Sequence, residues 1–107
     1  ITIKPGEFYL VKTMEKVNLP NDINVIIRPR STLQRCGVTL ASGSVGPGYC
    51  GEFNFGIYNA GKNNLKIELV ARFAHLYFFR TGENHSNYRG QWLGGRVSTD
   101  GKKEVQV

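Results

Sequence analysis

The sequence lacks the features that mark several large classes of protein. Only two of its 107 residues are cysteines, Cys36 and Cys50, so a disulfide-rich scaffold is excluded. No apolar run approaches the roughly 18 residues of a membrane-spanning helix, and the first residues do not have the basic-then-apolar order of a secretion signal. We therefore expect a cytoplasmic protein without a membrane partner, and we expect both cysteines to be buried free thiols.

Helical periodicity and familiar catalytic motifs are missing as well. Apolar residues do not recur at helical spacing over about ten residues or more, which argues against a helical bundle or a Rossmann domain. The sequence has no GxSxG, HExxH or Walker-type loop. His75 and His85 are not at ligand spacing and the cysteines do not form a CxxC pair, so we predict no zinc site.

What the sequence does contain is a strand-like pattern through most of its length. Thirteen glycines and four prolines punctuate short apolar runs, as in an all-β sandwich or barrel of a single domain. The clearest alternation places Phe53, Phe55 and Ile57 on one face of a strand. We predict a first strand at residues 7–13 and a fully buried, aromatic strand at residues 72–79.

Two short connections carry signals of their own. The order Asn-Ala-Gly-Lys at residues 59–62 is typical of a hairpin turn between two strands. The segment Ser31–Arg35 follows a proline-containing stretch and is predicted to form one helical turn, with Ser31 as its N-cap.

Positive charge is in excess, and part of it is clustered. Fourteen lysines and arginines against eight acidic residues give a formal charge of +6, which favours anionic partners but equally serves solubility. Arg28, Arg30 and Arg35 lie close together around Ser31 and the predicted helical turn. Guanidinium groups, a hydroxyl and backbone N–H groups suit phosphate oxygens, so this segment is the first candidate for an anion site.

Two glycine-rich segments supply further candidate contacts. In residues 45–51, glycines and a proline let the backbone approach a flat ligand, and Tyr49 offers a ring for stacking, although an ordinary strand connection has the same composition. In residues 88–96, Arg89, Gln91 and two aromatic residues lie among glycines. That composition suits either a lid that closes over an anion or a disordered terminus.

Taken in order, these segments resemble the superfamily of trimeric dUTP diphosphatases and dCTP deaminases, and its deaminase branch more closely. The opening KPGEF resembles the first strand of the deaminases, RPRSTL the phosphate-binding segment, and GSVGPGYCGE the nucleoside-binding hairpin. RFAHL resembles the next motif, and YRGQ the C-terminal phosphate lid of the deaminase branch. Five motifs in the same order span residues 4–91, nearly the whole chain.

The resemblance implies a fold, an assembly and a ligand. The fold would be a dUTPase-like distorted β-barrel, or β-clip, that is jelly-roll-like and built from residues 1–81, with residues 82–107 as a glycine-rich tail and lid. The assembly would be a homotrimer with nucleotide sites between subunits. The ligand would be a deoxynucleoside triphosphate, dUTP or dCTP, whose phosphates are organised by Mg²⁺ in family members.

The resemblance also implies roles for individual residues. Phosphate-binding roles fall on Arg30, Ser31, Arg35, Arg89 and Gln91. The loop backbone would lie against the base and a tyrosine ring against the deoxyribose, which assigns nucleoside-binding roles to Val45, Gly46, Gly48 and Tyr49.

Two departures from the family pattern concern the catalytic acids. The aspartate that positions the attacking water in the diphosphatases falls on Gly46, and the glutamate that transfers protons in the deaminases falls on Gly56. Glycine has no side chain that can take a proton. Glu52 is the remaining candidate acid, but it lies about 13 Å along the strand from residue 56. We therefore expect a dUTP- or dCTP-binding protein that is catalytically weakened or inactive.

Three other functions fit the sequence. An active dUTP diphosphatase or dCTP deaminase, a hydrolase in either case, would need an acid from Glu52 or from a neighbouring subunit. A binder of single-stranded nucleic acid would use the positive charge and exposed aromatic rings, although the ordered motifs do not require it. A structural trimer would keep the fold without the chemistry.

Overall fold

The computed structural model describes residues 1–82, which form eight β-strands and one short helix. In chain order the elements are β1 (Thr2–Ile3), β2 (Phe8–Asn18), β3 (Ile23–Pro29), α1 (Ser31–Arg35), β4 (Val38–Ala41), β5 (Ser44–Val45), β6 (Cys50–Asn59), β7 (Leu65–Lys66) and β8 (Ala74–Arg80). The predicted all-β fold class is confirmed. No helix in this part of the chain is long and apolar enough to cross a membrane.

The strands form two three-stranded antiparallel sheets and a two-stranded ribbon. The sheets have the orders β2-β6-β4 and β5-β3-β8, while β1 pairs with β7. The inward face of β6 carries Phe53, Phe55 and Ile57, each at most 2% exposed, and that of β3 carries the buried Val25 and Ile27. The alternation predicted for residues of β6 is therefore confirmed, because its apolar positions face the core between the sheets.

β2 is longer than the predicted first strand, because a β-bulge allows the strand to continue where the apolar alternation is interrupted. The register with β6 shifts between Lys12 and Lys16. At the bulge, the Thr13 hydroxyl accepts a hydrogen bond from the N–H of Phe53 (3.0 Å). The same hydroxyl donates to the carbonyl of Glu15 (2.8 Å). One threonine side chain thus satisfies backbone groups that the shifted ladder leaves unpaired.

The turn after β6 is not a hairpin, so that prediction is wrong. β6 leads into β7, which pairs with β1 instead of β6. Asn59 is fully buried, and its side-chain N–H groups donate to the carbonyls of Ile3 (2.9 Å) and Asn63 (2.8 Å). Its side-chain oxygen accepts from the N–H of Gly61 (3.0 Å). These three hydrogen bonds bend the chain away from β6 and tie it to β1.

β8 is an edge strand, and the prediction of a fully buried strand at residues 72–79 is wrong. Tyr77, Phe78 and Phe79 are 50%, 56% and 49% exposed. Within residues 1–82, β8 pairs with β3 alone, so its aromatic side chains have a neighbouring strand on one side only. Aromatic composition indicates burial, but the position of a strand in its sheet depends on pairing with distant residues.

Two smaller predictions are also wrong. Ser31 is the first residue of α1 and not its cap, because Arg30 holds the extended N-cap backbone (φ −68°, ψ 149°) and makes no side-chain cap hydrogen bond. Cys36 and Cys50 are exposed instead of buried, since the first follows α1 and the second begins β6.

Candidate functional site

The arginine-rich segment that was predicted to bind anions lies at the junction of β3 and α1. Arg30, Ser31 and Arg35 are all exposed there. The Nη1 group of Arg30 donates to the carbonyl of Arg72 (3.1 Å), and the backbone N–H of Arg30 donates to the carbonyl of Phe73 (3.0 Å). These bonds hold the β3–α1 junction against the segment that leads into β8, so two of the motifs that are distant in sequence are neighbours in the fold.

The glycine-rich loop is anchored to β3 as well. Val45 of β5 pairs with Val25 of β3, and Ser44 with Ile26. The Ser42 hydroxyl donates to the carbonyl of Ile27 (3.1 Å), near the end of β3. The predicted nucleoside-binding loop and the predicted phosphate-binding segment are therefore both positioned by the same central strand.

Tyr49, at the end of this loop, belongs to the core. Gly48 adopts φ +81° and donates its N–H to the carbonyl of Pro20 (3.3 Å), which makes the turn that sends the chain inward. The Tyr49 ring is 5% exposed and stacks on Phe53 with centroids 6.0 Å apart and planes 13° apart. Its hydroxyl donates to the carbonyl of Glu52. The ring is rigidly held, and its contact with a deoxyribose stays a prediction.

Gly56 lies on the outer face of the β2-β6-β4 sheet, beneath an aromatic ring. A Cβ atom at Gly56 would lie 2.4 Å from Cζ of Phe8 and 3.1 Å from Cβ of Ala41. Phe8 is directly opposite Tyr58, so its ring reaches Gly56 along the diagonal of the ladder. The ring fills the space into which a side chain at position 56 would extend. Sequence reasoning missed Phe8, because the contact depends on the register between β2 and β6.

The outer surface around Gly56 is apolar. Leu10 pairs with Gly56 directly, and Phe8, Leu10 and Tyr58 are 56%, 46% and 40% exposed. We call these three residues the outer apolar patch. Contiguous apolar surface of this kind marks contact sites in folded proteins.

Gly46, the other glycine that the resemblance places at a catalytic-acid position, has different surroundings. Among residues 1–82, and apart from its two chain neighbours, no atom lies within 4 Å of a Cβ atom built there, and its φ is not in the left-handed region. The described residues therefore leave room for a side chain at position 46, whereas the Phe8 ring fills the space at position 56.

Glu52 also lies on the outer face of β6, beside the bulge in β2. Its carboxylate is 3.9 Å from the ammonium group of Lys16, and the two side chains are 17% and 73% exposed. Asn54 lies between Glu52 and Gly56 on this face, and its buried Oδ1 has no hydrogen-bond partner within residues 1–82. The candidate acid is thus largely buried, paired with a lysine and separated from Gly56 by an amide.

Metal-binding side chains are not gathered in the described part of the chain. Within residues 1–82, no three side chains of His, Cys, Asp and Glu are grouped as a metal site requires. These described residues therefore do not form a magnesium site made of protein side chains alone. The predicted phosphate contacts of Arg89 and Gln91 lie outside the described residues.

Comparisons with known proteins agree on one family. The family described as dCTP deaminase-like matches residues 1–81. The chain is 34% identical over 97 residues to the dCTP deaminase of Pyrococcus abyssi, covering 90% of this chain and 63% of that protein. It is 33% identical over 107 residues to the dCTP deaminase of Pyrococcus furiosus, covering 98% and 69%. It is 37% identical over 82 residues to the dUMP-forming dCTP deaminase of a Hydrogenobaculum species, covering 76% and 46%.

A solved structure agrees on the fold. Native EIAV dUTPase superposes with a TM-score of 0.69 at 23% identity, covering 85% of this chain and 76% of that one. The predicted dUTPase-like, jelly-roll-like β-fold is confirmed by this match. The chain spans about three fifths of the length of the Pyrococcus abyssi protein, 63%.

Proposed function

This chain belongs to the dCTP deaminase-like family, and from that premise we propose that it binds a pyrimidine deoxynucleoside triphosphate, dUTP or dCTP, with little or no turnover. The family processes deoxynucleotides, and the segments at the β3–α1 junction and in the glycine-rich loop carry the residues that the resemblance assigns to ligand contact. The residues that the resemblance assigns to ligand contact are present in this sequence, whereas the two positions that it assigns to catalytic acids are Gly46 and Gly56.

One observation carries the proposal of weak or absent catalysis. The Phe8 ring stands 2.4 Å from where a Cβ atom would begin at position 56. A general base must reach the proton that it abstracts with a heavy atom within about 3 Å. An apolar ring over a glycine supplies no such group, and it also excludes water from the position. Loss of a positioned base typically lowers a rate by about 10² to 10⁴.

The phosphate side of the proposed site is cationic and exposed. Arg30 and Arg35 lie on either side of Ser31 in the sequence and all three residues are exposed, and the hydrogen bond from Arg30 to the carbonyl of Arg72 restricts the orientation of its guanidinium group. Guanidinium groups bind phosphate oxygens through paired N–H donors. Because no carboxylate cluster is present in residues 1–82, magnesium would arrive with the nucleotide phosphates.

Binding is tested by titration calorimetry of dUTP, dCTP and their non-hydrolysable analogues in the presence of magnesium. We expect heat with at least one nucleotide, and we expect Arg30→Gln to weaken binding by about tenfold or more, since it removes a charge-assisted contact. Lys62→Gln is the matched control, because it removes the same charge from an exposed turn after β6. No heat from any nucleotide at millimolar concentration contradicts the proposal.

Turnover is tested separately by measuring release of pyrophosphate and of ammonia. We expect both rates to be far below the roughly 1 s⁻¹ at the lower end of common enzymes. A rate near that value with either dUTP or dCTP contradicts the proposed loss of catalysis and leaves nucleotide binding intact.

A second candidate function is an active enzyme of the same family. Glu52 supports it, because its carboxylate is 17% exposed and held near Lys16, an environment in which a functional acid can be positioned. Glu52→Gln is the test in any preparation that shows turnover. A loss of activity without loss of nucleotide binding supports this candidate, and an unchanged rate removes Glu52 from it.

Sites between subunits of a homotrimer are part of the same proposal. The outer apolar patch and the exposed aromatic residues of β8 support self-association, because surfaces of this kind are usually covered. Light scattering should give about three times the chain mass of 12.0 kDa. A monomer at the concentrations used for calorimetry contradicts the trimer.

A further inference from the structure

The end of β3 that leads into α1 places a second arginine on the same face as Arg30. Ile27 is buried and Arg28 is exposed, and this alternation continues through the half-buried Pro29 to the exposed Arg30. The backbone of Arg30 is still extended (φ −68°, ψ 149°). Alternate residues of a strand lie on one face, about 6.6 Å apart. Arg28 and Arg30 therefore both lie on the outer face of the sheet β5-β3-β8.

A histidine of β8 lies directly opposite Arg28. The register of the antiparallel pair joins Arg28 to His75, and both residues are exposed on the outer face. The Cβ atoms of directly opposite residues are about 4.5 to 5.5 Å apart. An imidazole is therefore within reach of any ligand that the guanidinium group at position 28 binds.

The backbone around these side chains is fixed by contacts to the core. The N–H of Arg30 donates to the carbonyl of Phe73 (3.0 Å), and the Phe73 ring packs edge-on against Phe55 with centroids 5.3 Å apart. Because Phe73 is two residues before His75, these contacts fix the spacing between the two strands at this end of the sheet. We call Arg28, Arg30 and His75 the basic cluster.

The described residues do not neutralise the charge of the basic cluster. β3, β5 and β8 contain no aspartate or glutamate. The two ion pairs among residues 1–82 lie elsewhere, one on the other sheet and one between Arg80 and Asp22 at the opposite end of β8. In this part of the chain, the side chain of Arg28 has no ion pair or hydrogen bond. An exposed positive charge without a counter-ion favours an anionic ligand.

The arrangement of the basic cluster suits several linked phosphate groups better than one. The Nη1 group of Arg30 is held by its hydrogen bond to the carbonyl of Arg72 (3.1 Å), which restricts its movement toward Arg28. Guanidinium groups bind phosphate oxygens through paired N–H donors, and a protonated imidazole adds a further charged donor. With Arg30 bound to one phosphate group, Arg28 and His75 are therefore left for the next groups of the same ligand.

We propose that Arg28 and His75 extend the phosphate site along the outer face of β3 and β8, that they bind the phosphate groups of a polyphosphate beyond the first, and that this binding strengthens as the pH falls. For a nucleotide ligand, the inference rests on the proposed function. It makes the number of phosphate groups a determinant of affinity, and it gives this role to residues outside the set that the resemblance assigns to phosphate binding.

The pH dependence comes from the imidazole of His75. An imidazole side chain gains a proton as the pH falls from about 8 to 5. Among residues 1–82, the charged or titratable groups beside it are Arg28 and Arg30 of the basic cluster, Arg72 just before β8, and Tyr77, whose ring centroid is 6.4 Å away. None of these is a carboxylate, so a bound anion is what favours the proton. Binding and protonation therefore promote each other.

Calorimetric titration with inorganic triphosphate and inorganic phosphate tests the anion site without a nucleotide. Arg28→Gln should weaken triphosphate binding by about fivefold or more, because it removes a charge-assisted contact, and should change phosphate binding by less than about twofold. Arg80→Gln is the matched control, since it removes the same charge from the same sheet, five residues or about 17 Å along the ladder. Equal effects of the two variants on triphosphate binding overturn the role of Arg28.

His75→Gln separates the pH dependence of the protein from that of the ligand. Triphosphate itself loses negative charge as the pH falls, but it does so equally with both proteins. The ratio of native to variant affinity should therefore rise by about fivefold between pH 8 and pH 6. Titrations in buffers of different ionisation enthalpy should also show that the native protein takes up more protons on binding. A ratio that stays constant within about twofold overturns the role of His75.

Titrations with dUTP and dCTP distinguish failure of this inference from failure of the proposed function. Nucleotide binding that is weakened by Arg30→Gln but not by Arg28→Gln overturns the extension and leaves the proposed function intact. Binding of inorganic triphosphate that depends on Arg28, without binding of either nucleotide, supports the extended anion site and contradicts the proposed function. Binding of neither triphosphate nor nucleotide overturns both.

Discussion

Phe8 and Gly56 form a coupled pair at the scale of single residues. Replacing a strand glycine by alanine ordinarily stabilises a protein, because it restricts the unfolded chain and favours the extended backbone. At Gly56 the new Cβ atom would lie 2.4 Å from the Phe8 ring, so the ring must move before the substitution is accommodated. The effect of a methyl group at position 56 therefore depends on what stands at position 8.

We expect Gly56→Ala to be less favourable by about 1 kcal/mol in the native background than in a Phe8→Ala background, because only the first contains the overlapping ring. Urea denaturation of the two single variants and the double variant measures this coupling. Gly46→Ala is the control, since no atom of residues 1–82 beyond its chain neighbours lies within 4 Å of a Cβ there, and its effect should be within about 0.5 kcal/mol. Additive effects of the Phe8 and Gly56 substitutions would contradict the contact.

At the scale of elements, the turn between β7 and β8 is strained. The N–H of Ala71 donates to the carbonyl of Glu68 (3.2 Å), which closes a four-residue turn. Its third residue, Val70, has φ +70°. Turns of this kind place glycine or asparagine at that position, because a β-branched side chain clashes with the backbone when φ is positive. The turn therefore stores strain at an exposed position.

Val70→Gly should stabilise the chain by about 0.5 to 1 kcal/mol, because relief of the left-handed backbone exceeds the added flexibility of glycine in the unfolded state. Val70→Ala is the matched control, since it removes the branched side chain but keeps a Cβ atom, and its gain should be smaller. The midpoint of urea denaturation should rise with an unchanged slope. A lower midpoint for Val70→Gly than for the native chain would show that the valine side chain is stabilising there.

At the scale of the whole molecule, two loops meet backbone to backbone and close one end of the fold. Gly37 follows α1 with φ +76°, and a Cβ atom there would lie 2.8 Å from Cα of Gly61, which follows β6. The N–H of Ala60 donates to the carbonyl of Gly37 (3.0 Å). Backbone atoms cannot rotate away as a side chain can, so the contact admits no side chain at position 37.

We expect Gly37→Ala to destabilise the chain by about 3 kcal/mol or more, from the left-handed backbone and the overlap together. Gly6→Ala separates the two causes, because Gly6 has φ +85° and, in the described part of the chain, only its own chain neighbours lie within 4 Å of its Cβ position. That control should cost only about 1 to 2 kcal/mol. Thermal or urea denaturation of both variants gives the difference, and equal losses would mean that the loop contact contributes nothing.

The candidate site was predictable as a set of segments but not as an arrangement. The arginines around Ser31 and the glycine-rich loop stand out by residue type. That both segments are anchored to β3 follows only from pairs such as Val25 with Val45, which are distant in sequence. The sequence gives no sign that the Phe8 ring lies over Gly56, because this contact arises from the register of β2 and β6, two strands that are about 40 residues apart.

The sequence alone determined the features that depend on a few neighbouring residues. Short apolar runs between glycines and prolines indicated the all-β class, and strict alternation indicated the buried face of β6. Only the tertiary structure decided that β8 lies at a sheet edge with its aromatic residues exposed, that Asn59 turns the chain toward β1, and that both thiols face solvent. Strand order, register and exposure depend on contacts between distant residues, and local composition does not encode them.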